Sequence, residues 1–442
     1  MIQIPSIEQF AEKSCDPFHY LPLELAEKIF HMLSIHNRLT CLYVCKSWNT
    51  LLQSSHSLWK ILDLSDARRY VPMDGLKAYL KRSNYSLNLA EFQLNSFVDS
   101  GRIEYIIENC KCLKELKVYG RDWRGNMMFN SLSSAKQIML LYISNRIHMS
   151  LSVVISTLKR CQDTVVDVTF GNLDRTILNI SDWPRLHKLR SLSLGEFDEG
   201  YLNGDDEAVI DLDGLVQATP NLITVIIKHL RVKDNVKVYD FRLWKQLQRL
   251  EFFNNRLIHF PKLPKTLKHL RFDGNYALSI PESQEMELTQ LPLLETFSCQ
   301  STSINPRGLF AVTKSCIEAN NLKILHLGNR TYNLGNHIIL PVWMEYPSCI
   351  SVEELSLAWM DLDDAGIFRI LKLYPKLERI ILSGNNITEL TLQTLAGKKS
   401  IKSIVIDNCY DIDPNLIEEI RHKGIEISWR FASDAFDEDI VL

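Results

Sequence analysis

The sequence has no run approaching the roughly 18 apolar residues that a membrane-spanning helix requires, and it carries no excess of positive charge. Fifty Lys and Arg stand against 53 Asp and Glu, a net charge of -3. The first absence argues against a transmembrane helix. The second argues against a globally basic nucleic-acid binder, so neither a membrane nor direct nucleic acid is expected as a partner, while a local basic patch stays open. Glycine (17) and proline (15) are sparse among 442 residues, and no glycine loop has phosphate-cradling spacing. The ten cysteines are scattered, none with the spacing of a zinc site. They read as reduced, which places the protein in the nucleus, the cytoplasm or both. The histidines show no metal spacing, and Cys15 near His19 lacks a third group to orient a base. No catalytic residue, metal ligand or cofactor is expected. Residues Met1 to Ser14 carry Glu8 and Glu12 and lack a basic start followed by an apolar block, so they read as neither a signal nor a transit peptide.

What is present begins with a short helical module. In LPLELAEKIFHML, Pro22 suits a first helical turn, where its missing N–H is not needed. Leu25, Ile29 and Leu33 recur at four-residue spacing as one apolar stripe, and Leu23, Ala26 and Phe30 form a second. The pattern predicts a second helix over Arg38 to Cys45 and a third from Lys46 to Gln53, with Trp48 and Leu51 turned inward. Three short helices in some forty residues do not make a self-sufficient core. One apolar face is therefore expected to pack on the following domain and another to meet a partner.

Leu21-Pro22, Glu24, Ile29-Phe30, Leu33, Val44-Cys45-Lys46, Trp48 and Leu58-Trp59 stand in the order and spacing of the F-box family, which this module resembles. Asn37 and Arg38 depart from it, standing where an Asp-Leu pair is usual. The resemblance implies a module that binds the Skp adaptor and, through it, a cullin. It implies an adaptor-facing surface of Leu21, Pro22, Leu25, Ile29 and Leu33, with Trp48 and Trp59 in the internal core.

From Leu62 onward the frame L-x-x-L-x-L returns fourteen times, from Trp59-Leu62-Leu64 and Leu89-Phe92-Leu94 through to Ile401-Ile404-Ile406, with central residues 20 to 33 apart. That interval brackets the leucine-rich-repeat period. Alternation turns the fourth and sixth positions of each frame inward, where they stack on neighbouring coils. Asn255, Asn275 and Asn385 fall at the ninth position, suited to satisfying backbone groups as the chain leaves the strand; Cys409 takes that place in the last frame. A final strand, Ile425 to Trp429, is expected to cap the open end. The expected fold is thus α/β: a small three-helix F-box, then a curved solenoid with a parallel sheet on its concave face and helices or irregular segments on its convex face. The expected boundaries are a polar leader over 1–17, an F-box over 18–60, about fourteen repeats over 59–431 and an acidic tail over 432–442.

Positions three, five and seven of each frame project from the concave sheet, among them Lys228, Arg249, Phe253, Arg271, His326 and Arg379. Between Lys228 and Phe272 stand twelve Lys or Arg against Asp234, Asp240 and Glu251. Gathered into one field, those cations would attract an acidic or phosphorylated substrate segment. The stretch Gly195 to Asp213 has eight acidic residues and no basic one, and reads as an exposed loop. The acidic tail, ending Ile440-Val441-Leu442, is expected to be disordered or to fold back along the basic face.

Three functions fit: a substrate receptor of a Skp–cullin–F-box ubiquitin ligase, an F-box scaffold acting with the adaptor outside ubiquitylation, and a repeat protein whose helical start is only a cap. The run Ala67-Arg68-Arg69, the run Leu80-Lys81-Arg82-Ser83 and residues 241–272 also resemble a fungal F-box group acting on the replicative helicase. That narrower resemblance implies a nuclear protein contacting a chromatin-bound replication complex. The tetratricopeptide region of that group has no counterpart in the roughly twenty residues before the module.

Overall fold

The computed structural model describes residues 18, 21–64, 72–94, 100–120, 136–149, 151–173, 183–195, 209–281, 290–328 and 348–431. The leader, Cys15, His19, Ala67-Arg68-Arg69, most of the acidic stretch and the C-terminal tail lie outside those residues. Two compact units divide the chain, one of residues 1–121 with 129–140, the other of 122–128 with 141–442.

The first unit starts with α1 (Leu23–His31), α2 (Ile35–Cys41) and α3 (Lys46–Ser54). Helix α2 begins three residues earlier than its expected start at Arg38. Ser34 supplies the reason: its hydroxyl accepts the Asn37 amide at 3.3 Å and caps the helix there. Phe18, Phe30 and Trp48 form an aromatic trio with centroids 4.8 to 5.5 Å apart. On α3 the fully buried apolar residue is Leu52, with the predicted Leu51 only half-buried. Trp59 is fully buried and donates its indole N–H to the Leu52 carbonyl at 2.7 Å.

The departure at Arg38 becomes intelligible here. Its side chain is buried, with Nε donating to the Leu33 carbonyl at 3.1 Å and Nη1 to the Leu58 carbonyl, while the guanidinium lies 6.0 Å from the Trp59 ring. One side chain thus ties α1, α2 and the Trp59 turn together. Arg38→Met keeps the stem but strands the buried Leu58 carbonyl, at a cost of about 1–3 kcal/mol, and the half-buried Leu33 carbonyl, at a smaller one. Amide exchange across residues 33–60 is expected to accelerate about 30-fold or more, with exchange in residues 209–281 unchanged. Equal exchange in the two proteins would show that the buried guanidinium is dispensable.

Strands β1 (Ile61–Leu64), β2 (Leu89–Leu94) and β3 (Glu115–Gly120) follow in parallel, with helices Met73–Arg82 and Ser100–Asn109 between them. Leu62 pairs with Ala90, and Ala90 with Leu116. The second frame is therefore Leu87-Ala90-Phe92, two residues before the expected Leu89-Phe92-Leu94. Leu87, Ala90 and Phe92 are all buried. The small Ala90 at the central position disguises the frame.

In the second unit the strands are β4 (Leu140–Met149), β5 (Asp167–Leu173), β6 (Ser191–Leu194), β7 (Val209–Ile210), β8 (Thr224–Lys228), β9 (Arg231–Val232), β10 (Arg249–Phe253), β11 (His269–Arg271), β12 (Thr296–Ser298), β13 (Ile324–Gly328), β14 (Glu354–Ala358), β15 (Arg379–Ile381), β16 (Ser403–Val405) and β17 (Glu426–Ser428). β7 and β9 form a separate pair; the others lie side by side in chain order from β4 to β17. Val225, Leu250, Leu270, Phe297, Leu325, Leu355, Ile380, Ile404 and Ile427 align in one row of parallel pairs. All nine are buried. This is the stacking of a leucine-rich-repeat solenoid, one strand per coil. Phe241, Phe252 and Phe272 continue it as a column with centroids 5.5 and 6.0 Å apart. Burying each such side chain contributes about 2–3 kcal/mol.

Among the described residues, seven strand exits share one recipe. The eighth frame position adopts a left-handed backbone in His229, Asn254, Gly274, Ser301, Trp359, Gly384 and Asn408, with φ between 53° and 72°. Gly384 has a second reason to lack a side chain, since a Cβ there would stand 2.1 Å from Trp359 Cε3. One position later, the Asn275 Oδ1 accepts the Asn255 and Leu257 amides, while its Nδ2 donates to the Phe252 and Phe272 carbonyls. Asn385 repeats the arrangement with Met360, Leu362, Leu357 and Leu382.

Candidate functional site

Two surfaces stand out, one in each unit. On α1 the packed stripe contains Ala26 and Phe30, both buried. The opposite stripe leaves Leu25 and Ile29 46% and 41% exposed. Of the other residues expected on the adaptor face, Pro22 is exposed and caps α1, its carbonyl accepting the Leu25 and Ala26 amides, while Leu21 and Leu33 are half-buried. Leu23, grouped by periodicity with Ala26 and Phe30, is exposed. Met32, at 86%, extends the Leu25–Ile29 stripe by the i, i+4, i+7 rule, a signal legible in the sequence. Tyr43 and Val44, at 88% and 58%, lie in the turn after α2, where no periodicity announces them. An exposed apolar set of this size on a small helical module marks an interaction site.

In the second unit, odd frame positions form the open face of the sheet. The register separates the six expected substrate residues into three rows. Arg249 and Arg379 share the row that also contains His269, Thr296, Ile324 and Glu354. Arg271 and His326 share the next row, with Glu251 and Ser298. Lys228 pairs with Phe253 in the third. The expectation that matching frame positions gather all the cations is corrected by this register.

The expected single positive field is corrected as well. Arg249 Nη2 lies 2.5 Å from Glu251, Arg271 Nε 2.5 Å from Asp273 and Arg379 Nε 4.0 Å from Glu354. Glu354 also meets His326 Nε2 at 2.9 Å, and that hydrogen bond holds its carboxyl below the usual carboxylate range. The Arg271 guanidinium lies 5.9 Å from the Phe253 ring. Other cations of the basic stretch pair elsewhere: Lys233 with Asp211, Lys237 with Asp213 and Arg242 with Asp240.

Burial pushes the Cys110 and Cys409 thiols up to about 11 and those of Cys161 and Cys316 to about 12, far from nucleophilic thiolates. Among the described residues no cluster of His, Cys, Asp and Glu is arranged to hold a metal ion.

Comparison with curated proteins gives no match. Among solved structures, the TLR13–ssRNA13 complex is similar at 14% identity and a TM-score of 0.32, over 84% of this chain. The chain spans 65% of the length of that chain. The F-box-like family matches residues 18–65, a span that contains α1, α2, α3 and the buried Trp59. The helical module is an F-box-like domain.

Proposed function

We propose that this protein is the substrate-recognition subunit of a Skp–cullin–F-box ubiquitin ligase. The F-box-like module binds the adaptor, and through it the cullin; the repeats bind the protein to be ubiquitylated. The observation that carries the reading is the exposed apolar set Leu23, Leu25, Ile29, Met32, Tyr43 and Val44 on that module. Ubiquitin transfer then belongs to other subunits, and this chain contributes by raising the effective concentration of the substrate at the ligase. The narrower kinship with receptors of the replicative helicase gains no support from the described residues or the comparisons.

Affinity purification with and without proteasome inhibition tests the proposal. The adaptor and a cullin are expected in both preparations, with one or more further proteins enriched under inhibition. Adaptor without cullin, and no protein whose half-life lengthens when this chain is depleted, would favour the scaffold reading.

A further inference from the structure

Each arginine of the open face stands on a carboxylate more deeply buried than itself. The Arg249 side chain is 50% exposed and Glu251 11%; Arg271 is 40% exposed and Asp273 0%; Arg379 is 44% exposed and Glu354 25%. Ordinary surface ion pairs have two wet, mobile ends and contribute little. Here the lower partner is held. Asp273 accepts the Ser298 hydroxyl at 2.6 Å and the Gln300 amide at 2.9 Å, and Glu354 is held by His326. Glu251 meets the Nε and Nη2 of Arg249 at 2.6 and 2.5 Å, so the plane of that guanidinium is set. Arg249 Nη1 and both Nη atoms of Arg271 have no other hydrogen bond among the described residues and remain for a ligand.

The register fixes the spacing. Arg249 and Arg379 stand in one row, five strands apart. At about 4.8 Å per strand this is roughly 24 Å, the reach of about seven extended residues. Arg271 lies one strand from Arg249 and two residues further along.

We propose that this face holds an extended acidic segment of the protein substrate lying across the strands, with Glu251 and Asp273 as positioning residues that hold the Arg249 and Arg271 guanidinium groups ready for its carboxylates, and Arg379, 4.0 Å from Glu354, as the third cation along it. The inference rests on the substrate-receptor reading and deepens it. Planar guanidinium groups with fixed forks suit carboxylate oxygens, and a fixed rotamer spares the ordering cost of binding. Paired charges also leave only a weak long-range field, so recognition is directional and depends little on salt.

A sign test separates this from attraction by net charge. Glu251→Met and Glu251→Gln both remove one negative charge, but only Gln retains an acceptor for Arg249. If net charge governed, both would bind an anionic peptide more tightly and equally. Pre-organisation predicts that Met weakens binding about three- to tenfold and that Gln restores much of the loss. The probe is a fluorescent synthetic peptide of alternating glutamate and serine, long enough to span Arg249 to Arg379. It is titrated by anisotropy against the full chain bound to its adaptor, at low and at physiological salt. Circular dichroism confirms that each variant is folded. Tighter binding by both variants overturns the positioning role, and so does equal weakening by Met and Gln. Failure of the wild-type chain to bind the peptide overturns the acidic-segment assignment. Adaptor capture, read in the same preparations, tests the receptor reading separately.

Discussion

Replacing Leu25 and Ile29 together by Glu is expected to weaken capture of the Skp adaptor at least about hundredfold without unfolding the chain. Burial of one apolar side chain of this size contributes about 1.5–3 kcal/mol, and anchors at the centre of an interface cost about 2 kcal/mol or more on truncation. Two such losses, together with the desolvation of two introduced carboxylates, exceed the roughly 2.7 kcal/mol that a hundredfold change requires. The fold should survive because both positions are substantially exposed, whereas Ala26 and Phe30, on the opposite stripe of the same helix, are buried. A Phe30→Glu control should fail for a different reason, by breaking the trio with Phe18 and Trp48. Titration calorimetry with purified adaptor distinguishes the two. The double variant should melt like the wild type yet release little heat; an unchanged affinity would move the adaptor site off the outer stripe of α1.

Asn275→Ala should be among the most destabilising single changes in the repeats. The side chain is fully buried, and its amide serves five backbone groups: the Asn255 and Leu257 N–H and the Phe252, Phe272 and Asp273 carbonyls. Each buried group left unpaired costs about 1–3 kcal/mol, so a loss of about 4 kcal/mol or more is expected after local relaxation. Cys409 offers the contrast. It stands at the same frame position but offers a weakly hydrogen-bonding thiol, which donates to the Leu382 carbonyl at 3.4 Å and lies against the Gly384 and Asn385 backbone. Cys409→Ala should therefore cost about 1 kcal/mol. Urea unfolding followed by circular dichroism compares the two variants. Equal costs would mean that the ninth-position amide is not what secures the turn.

The repeats were legible because their signal is local and repeated: a buried row needs apolar residues at fixed alternation, and a turn out of a strand needs a side-chain amide at a fixed offset. Legibility failed where one residue could serve two registers. LNLAEFQL contains Leu89-Phe92-Leu94 as well as Leu87-Ala90-Phe92, and only pairing with Leu62 and Leu116 chooses between them. The start of α2 escapes periodicity because Ser34, its cap, precedes any apolar repeat. Arg38 looked like a defect in the F-box pattern, since nothing local shows that two distant carbonyls await it.

On the open face the charges were identified but their partners were not. Arg249 and Glu251 stand two residues apart on β10, and Asp273 stands two residues past Arg271, just beyond the end of β11; that spacing keeps each pair on one face. That spacing was in the sequence and would have revealed the compensation. The third pair, Arg379 with Glu354, joins neighbouring coils and required the register. On the helical module, Leu25 and Ile29 followed from periodicity, whereas Tyr43 and Val44 sit in a turn whose exposure only the packing of α2 and α3 decides.

Amide-exchange footprinting of the full chain, alone and saturated with the Skp adaptor, tests the central claim most directly. The proposed role predicts strong protection within residues 21–33 and 43–46, the segments bearing Leu25, Ile29, Met32, Tyr43 and Val44, and none in residues 209–281 or 290–328. Protection confined to the repeats, or no protection at adaptor concentrations that saturate a known F-box protein, would contradict it.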